Sequence, residues 1–234
     1  MSINIILLVC NEEKTITKDI TDIHNKIISK ISDCLLIISE DGSTDYTKEI
    51  LTELKKKYNF TLITEKKRKG YKQSFIDAVK ICTKKHIFFS DSGNKFDYDD
   101  FWKLYKHANE YDLVSGYRSQ RLDSLFRRLL TFYYNLSLRL YFNVKLKDSD
   151  SGFKIYNTLK IKKILEIKLI NEHLISSEIF LRFLFSNYKT TEVNVKYFQR
   201  PGKSVSFSFM KIFKVIFQVI SNFKKLKNDL NKSF

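Results

Sequence analysis

Ser39-Glu40-Asp41-Gly42-Ser43-Thr44-Asp45 closes an apolar run, Cys34–Ser39, and leads into an amphipathic stretch over Tyr46–Tyr58. The run reads as a buried strand and the spacing after it as a helix. Two carboxylates at a strand tip, a glycine turn, then Ser, Thr and Asp at a helix start put acceptors beside a helix N-terminus. A carboxylate placed there can accept N–H bonds from a nucleobase. Taken alone, Asp41, Ser43 and Asp45 read more readily as caps for the helix.

The same strand-then-helix unit recurs on both sides of this segment. Apolar runs at Ile3–Val9, Phe60–Thr64, His86–Ser90 and Asp112–Ser115 alternate with helical patterns at Lys14–Ser29, Tyr71–Cys82 and Tyr98–Glu110. Such alternation predicts βαβ units and a mostly parallel, doubly wound α/β sheet with its ligands beyond the carboxyl ends of the strands. Asn11, Glu12 and Glu13 follow the first run, Lys69 and Gly70 open the third helix, and Asp91 ends the fourth run. All of these polar groups therefore fall on one rim of one inferred sheet. The six glycines are expected at element ends, outside strands and helices. Further on, Leu125–Phe142 reads as a basic, aromatic-rich helix, Ile179–Phe185 as another, and Thr191–Tyr197 as a strand.

The 234 residues include 42 Lys and Arg against 26 Asp and Glu, a net charge of +16 that predicts an anionic partner. A Lys-, Asn- and Ile-rich composition accounts for part of that excess. Charge alone does not choose among nucleotide phosphates, an acidic membrane and nucleic acid, but no zinc-finger, RNP-type or bZIP pattern is present, so nucleic acid ranks last. Cys10, Cys34 and Cys82 lie far apart, which predicts no disulfide framework or zinc site and a reducing cytoplasm. Met1–Leu8 lacks a basic leader, and no apolar run reaches the roughly 18 residues of a spanning helix. In the tail, Met210, Phe213, Phe217, Ile220 and Phe223 share a face opposite Lys211, Lys214 and Lys225, an amphipathic helix that either packs on the domain or lies in a lipid interface.

Read in order, LVCNEEKTI, EDGSTDYT, RKGYKQSFIDA, DSGNKFDYDD, SGYR, Arg127-Arg128, DSDSGFK, Glu178 and TEVNV resemble glycosyltransferase family 2 over residues 3–205. Within it the chain resembles the group that includes dolichol-phosphate mannose synthases and bacterial polyprenyl-phosphate glycosyltransferases. The resemblance implies a GT-A domain over residues 1–205 and an amphipathic C-terminal tail over 206–234. It implies that Asn11, Glu12, Glu40 and Asp41 line a nucleotide pocket, with Asp41 on the base edge and Lys69 nearby. Asp91 and Ser92 would face the diphosphate and sugar, and Arg118, Arg127 and Arg128 an acceptor phosphate.

The implied reaction is inverting, in-line transfer from a nucleoside-diphosphate sugar to a polyprenyl-phosphate-type lipid. The implied setting is the cytoplasmic face of a membrane, reached peripherally or through a membrane-protein partner. A sugar-hydroxyl acceptor would need a base, for which Asp148, Asp150 and Glu178 are candidates. Elongation of a surface glycan is the alternative, and a degenerate, non-catalytic nucleotide-sugar binder is a third reading. This chain departs from the family pattern where Gly93 replaces the second acid of the usual Asp-x-Asp element and Lys95 follows two residues on. Asp91 is then what remains to hold a Mg²⁺ or Mn²⁺, and Lys95 is expected to take over part of the cation's role on the leaving diphosphate.

Overall fold

The computed structural model describes residues 2–121, 125–171, 174–198 and 221–232. Seven strands form one sheet: β1 Ile3–Val9, β2 Cys34–Glu40, β3 Phe60–Thr64, β4 His86–Asp91, β5 Leu113–Arg121, β6 Phe153–Asn157 and β7 Thr190–Tyr197. Their order is β3-β2-β1-β4-β6-β5-β7. β6 runs antiparallel to β4 and β5, and the other pairings are parallel. The helices are α1 Ile16–Lys26, α2 Thr47–Lys57, α3 Tyr71–Lys80, α4 Phe101–Tyr105, α5 Leu125–Phe142, α6 Thr158–Glu166 and α7 Ile175–Phe185, with α8 at 221–232.

Every residue of β1 is buried, because successive side chains point to opposite faces and helices cover both. Ile6 and Leu8 join Ala78 and Val79 of α3, Ile161 of α6 and Phe180 of α7 on one side. Ile3, Ile5, Leu7 and Val9 meet Ile16, Ile20 and Ile23 of α1 and Leu51 of α2 on the other. From β1 the chain proceeds outward to β2 and β3, then returns to β4 on the opposite side. The carboxyl ends of β1 and β4 therefore flank a topological switch point, where an open α/β sheet leaves a crevice.

Two expectations change in the structure, and one alternative is decided. Gly116 lies inside β5 rather than at an element end, because a Cβ there would stand 2.9 Å from both γ-carbons of Val195 on the neighbouring strand. The helix expected over Tyr98–Glu110 shrinks to a 3₁₀ turn, Tyr98–Asp100, followed by the short α4. Beyond α4 the amides of His107 and Ala108 bond back to Leu104 and Tyr105, tight turns that do not continue a helix. In the tail, α8 buries Phe223, Leu226 and Leu230, so this part packs on the domain; residues 206–220 lie outside the described residues. Phe223 meets the rings of Tyr141 and Phe142, each at 5.4 Å between centroids. Among the described residues no helix is long and apolar enough to cross a membrane.

Arg182, fully buried in α7, ties α8 down. Its Nη2 donates to Glu178 at 2.8 Å and to Asp229 of α8 at 2.7 Å. Arg182→Ala should cost about 3–5 kcal/mol in urea unfolding, because Glu178 would keep a buried charge without its counter-ion. Asp229→Ala, which leaves that pair intact, should cost less.

Candidate active site

A cleft of about 200 Å³ opens at the carboxyl ends of β1, β2 and β4, and Cys10, Glu12, Asp41, Arg68, Asp91 and Lys95 are among its walls. The loops after β1 and β2 are stitched to each other. Asn11, at φ 54, donates its amide to Ser43 Oγ at 3.0 Å, and its Oδ1 accepts the amide of Thr44 at 2.8 Å. The Glu12 amide donates to Thr47 Oγ1 at 2.8 Å, and Glu12 Oε2 accepts the Thr15 hydroxyl at 2.7 Å. Glu40 accepts the Ser43 amide and, at 3.0 Å, the Thr64 hydroxyl, so its carboxylate braces β2 against β3. Asp45 does cap locally, accepting the Thr47 amide at 3.1 Å.

Asp41 is buried at the tip of β2 and holds the loop that enters α3. Its Oδ1 accepts the amides of Lys69 at 2.7 Å and Gly70 at 3.1 Å, and Arg68 Nε stands 3.5 Å from Oδ2. That loop crosses so close to Gly42, itself at φ 64, that a Cβ there would lie 2.5 Å from Arg68 N. Lys69 thus serves the site through its backbone: its ammonium pairs with Glu65 and with Asp77, and the side chain of this loop that lines the cleft as a cation is Arg68.

Asp91 ends β4 with its amide donating to Gly152 O at 2.8 Å. Its Oδ1 accepts the Tyr71 hydroxyl at 3.0 Å, and Lys95 Nζ lies 3.7 Å from its Oδ2. The turn between Asp91 and Lys95 passes through two left-handed residues, Gly93 at φ 97 and Asn94 at φ 51. Their amides donate to Asp19 of α1, Gly93 at 2.8 Å and Asn94 at 3.1 Å, and the Tyr98 hydroxyl adds a third donor at 3.1 Å. Asp19 is fully buried, and desolvation pushes its carboxyl up to about 6. Asp19 and Tyr71 were missed from sequence; the available signal for Asp19 was an acid on the apolar stripe Ile16, Ile20, Ile23.

On the far side of Asp91 sits the Asp148–Phe153 segment. Gly152 presses so closely that a Cβ there would stand 2.2 Å from Asp91 Oδ2. Arg118 is held bidentately by Asp148, Nε to Oδ2 at 2.6 Å and Nη2 to Oδ1 at 2.7 Å. Glu192 of β7 accepts the amides of Lys147 and Asp148 at 2.7 and 2.9 Å. Beneath the segment, buried Lys154 donates to Ser149 O at 2.8 Å and Ser176 Oγ at 2.6 Å, and burial pushes its ammonium down to about 8. Asp150 is pushed up to about 6, by burial first, with Asp148 and Asp91 adding to the rise and Arg118 and Lys154 opposing it. Glu178 is far from this role: it sits in the core against Arg182 and the amides of Ile170 and Asn171. Arg128 is exposed on α5, and the Arg127 side chain lies outside the described residues.

Fold and cleft together define a GT-A-type glycosyltransferase domain, a mostly parallel sheet whose acidic strand tips converge at the switch point. The family model described as "Glycosyl transferase family 2" matches residues 4–165, and the chain belongs to that family. It is 22% identical over 191 residues to the undecaprenyl-phosphate 4-deoxy-4-formamido-L-arabinose transferase of Pectobacterium carotovorum subsp. carotovorum (strain PC1), a match covering 80% of this chain and 56% of that protein. The chain thus spans about half the length of that relative. It is also 26% identical over 230 residues to an uncharacterized protein of Methanocaldococcus jannaschii, covering 90% of this chain and 94% of the other. Glucosyl-3-phosphoglycerate synthase from Mycobacterium tuberculosis, solved with Mn²⁺, uridine diphosphate and phosphoglyceric acid, shares the fold at a TM-score of 0.71 and 15% identity, over 95% of this chain and 78% of that one.

The residues around Asp91 do not fit a divalent cation. Mg²⁺ and Mn²⁺ take several oxygen ligands. Here one Asp91 oxygen accepts the Tyr71 hydroxyl, the other faces an ammonium, and glycine stands where a second acid would be. Among the described residues no three His, Cys, Asp or Glu side chains group in a way that could hold a metal.

Two outcomes follow. Gly152→Ala should fold yet lose transfer by roughly a hundredfold, measured as kcat/KM, because Asp91 must move by about an ångström. Unchanged kinetics would contradict the contact. Asp19, raised from 3.8 to about 6, stabilises the fold fully below pH 3.8 and loses that contribution as pH rises through 6. Relative to Asp19→Asn, the wild type should therefore lose on the order of 2 kcal/mol of unfolding free energy between pH 4 and 7; a flat difference would refute it.

Proposed function

We propose that this chain is the catalytic domain of an inverting glycosyltransferase that moves a sugar from a nucleoside-diphosphate sugar to a polyprenyl-phosphate-type lipid at the cytoplasmic face of a membrane. The observation that carries the reading is the convergence of Asp41, Arg68, Asp91 and Lys95 on one cleft, with the Asp148–Phe153 segment against Asp91. Asp41, oriented by the Lys69 and Gly70 amides, offers its carboxylate to an N–H of the base edge, with Asn11, Glu12 and Glu40 bracing the pocket. Ser92 and Asp91 face the sugar. Lys95 stands where the leaving nucleoside diphosphate gains charge, and a preorganised cation lowers the barrier there.

An acceptor phosphate is already ionised, so positioning does most of the work and no base is required. Arg118, fixed by Asp148, shapes the acceptor side, and Arg127 and Arg128 are the arginines assigned to the acceptor phosphate, for which a rigid guanidinium fork is suited. The relative that acts on undecaprenyl phosphate supports this acceptor class. Leu129, Phe132, Tyr133 and Leu140, exposed on α5, and the net charge of +16 support work at an anionic lipid surface, reached directly or through a membrane-protein partner.

Asp150 favours a second reading, elongation of a surface glycan. A carboxyl pushed up to about 6 beside Asp91 suits a general base for a sugar hydroxyl. Radiolabelled UDP-, GDP- and dTDP-sugars with a short polyprenyl phosphate separate the two. The lipid reading predicts label in the organic phase, persistence in EDTA and a roughly 10²–10³-fold loss of kcat in Lys95→Ala. Label that stays aqueous, or complete dependence on Mn²⁺ or Mg²⁺, would contradict it; activity abolished by Asp150→Asn on a glycan acceptor would favour the alternative.

A further inference from the structure

The turn from Ser92 to Lys95 faces two ways. Lys95 reaches into the cleft, while the amides of Gly93 and Asn94 point down into Asp19 on α1, 74 and 75 residues away in sequence. Asp19 does not belong where it is for packing. It sits among Ile16, Ile20 and Ile23 on the buried stripe of α1, where an apolar side chain would satisfy the core without desolvating a charge. What the carboxylate supplies is directional. Its two oxygens take both amides of the consecutive left-handed residues, and the Tyr98 hydroxyl, three residues beyond Lys95, fixes the same carboxylate from the other side. Charge-assisted bonds of this kind are shorter and stronger than neutral ones and hold a backbone path that free residues rarely adopt.

Lys95 leaves this turn with one further restraint, its own carbonyl accepting the Phe198 amide at 2.7 Å. Its stem is thus clamped between α1 beneath and the end of β7 beside it. The side chain is a quarter exposed, Nζ lies 3.7 Å from Asp91 Oδ2, and Glu12 lines the turn from the opposite wall, with Oε1 3.2 Å from where a Gly93 Cβ would stand.

We propose that Asp19 is a positioning residue that sets the reach of Lys95 into the cleft, and so determines affinity for the diphosphate part of the donor. The inference rests on the reading of the cleft as a nucleoside-diphosphate site. Asp19 touches no substrate. It acts through the turn, in the place of the carboxylate-held cation for which the residues around Asp91 do not fit.

The test is a double-mutant cycle read by calorimetric titration of UDP and GDP, with uridine and guanosine as controls. Asp19→Asn, which keeps the side-chain volume but replaces one acceptor with a donor, should weaken diphosphate binding roughly tenfold, leave nucleoside binding unchanged, and add little further loss in a Lys95→Ala background. Equal weakening of nucleoside and diphosphate, or additive losses, would mean a merely structural role and overturn the proposal. If Asp19→Asn does not fold, Tyr98→Phe removes one donor to Asp19 while sparing both amides. It should weaken diphosphate binding less, again without affecting the nucleoside, and no change in it would overturn the proposal. A wild type that binds neither diphosphate would sink the nucleotide reading itself, an outcome distinct from wild-type binding that Asp19→Asn leaves unaltered.

Discussion

Desolvated carboxylates must find donors, and three of them, one at the tip of β2, one on α1 and one on β7, find theirs in the backbone of a loop from elsewhere in the chain. Asp41 takes the amides of Lys69 and Gly70, Asp19 those of Gly93 and Asn94, and Glu192 those of Lys147 and Asp148. An unsatisfied carboxylate in such surroundings would cost several kcal/mol, so these bonds are stringent as well as numerous. They fix three loops around one cleft before any ligand arrives, which is the preorganisation that a charge-stabilising site requires.

The balance of charge inside the cleft follows from one substitution in the turn after β4. With Gly93 in place of an acid and Lys95 beyond it, Asp91 is bonded to a hydroxyl and faced by an ammonium. The cleft thereby has an ammonium beside Asp91. Arg68 adds a second positive group next to Asp41. Both line the cleft, and both stand on loops that Asp41 and Asp19 hold in place.

Much of this was legible in the chain. The polar residues ending β1, β2 and β4 stood out because they interrupt apolar runs, and a parallel sheet then puts all three tips on one rim. β6 was hidden because Lys154, a buried charge, interrupts the continuous apolar run that a strand buried on both faces usually shows. α6 followed it unseen, its four residues Lys160, Lys162, Lys163 and Glu166 masking the apolar stripe that Ile161 and Ile164 bury. Lys69 was placed in the right loop, but which of its groups would face the site depends on the path of the backbone past Gly42, which spacing does not encode. Arg118 was visible as a charge, yet its partner Asp148, 30 residues on, appears only when the chain is folded, whereas Glu178 and Arg182 stand four residues apart on one helix and only their burial was hidden. Asp19 needed a partner 74 residues distant before its place on an apolar stripe made sense.

A crystal structure of the chain with a bound nucleoside diphosphate tests the central claim most directly. The account predicts the base edge beside Asp41 and the diphosphate within hydrogen-bonding distance of Lys95 Nζ. Nucleotide seated outside this cleft, or seated in it with its phosphates turned away from Lys95 toward open solvent, would contradict it.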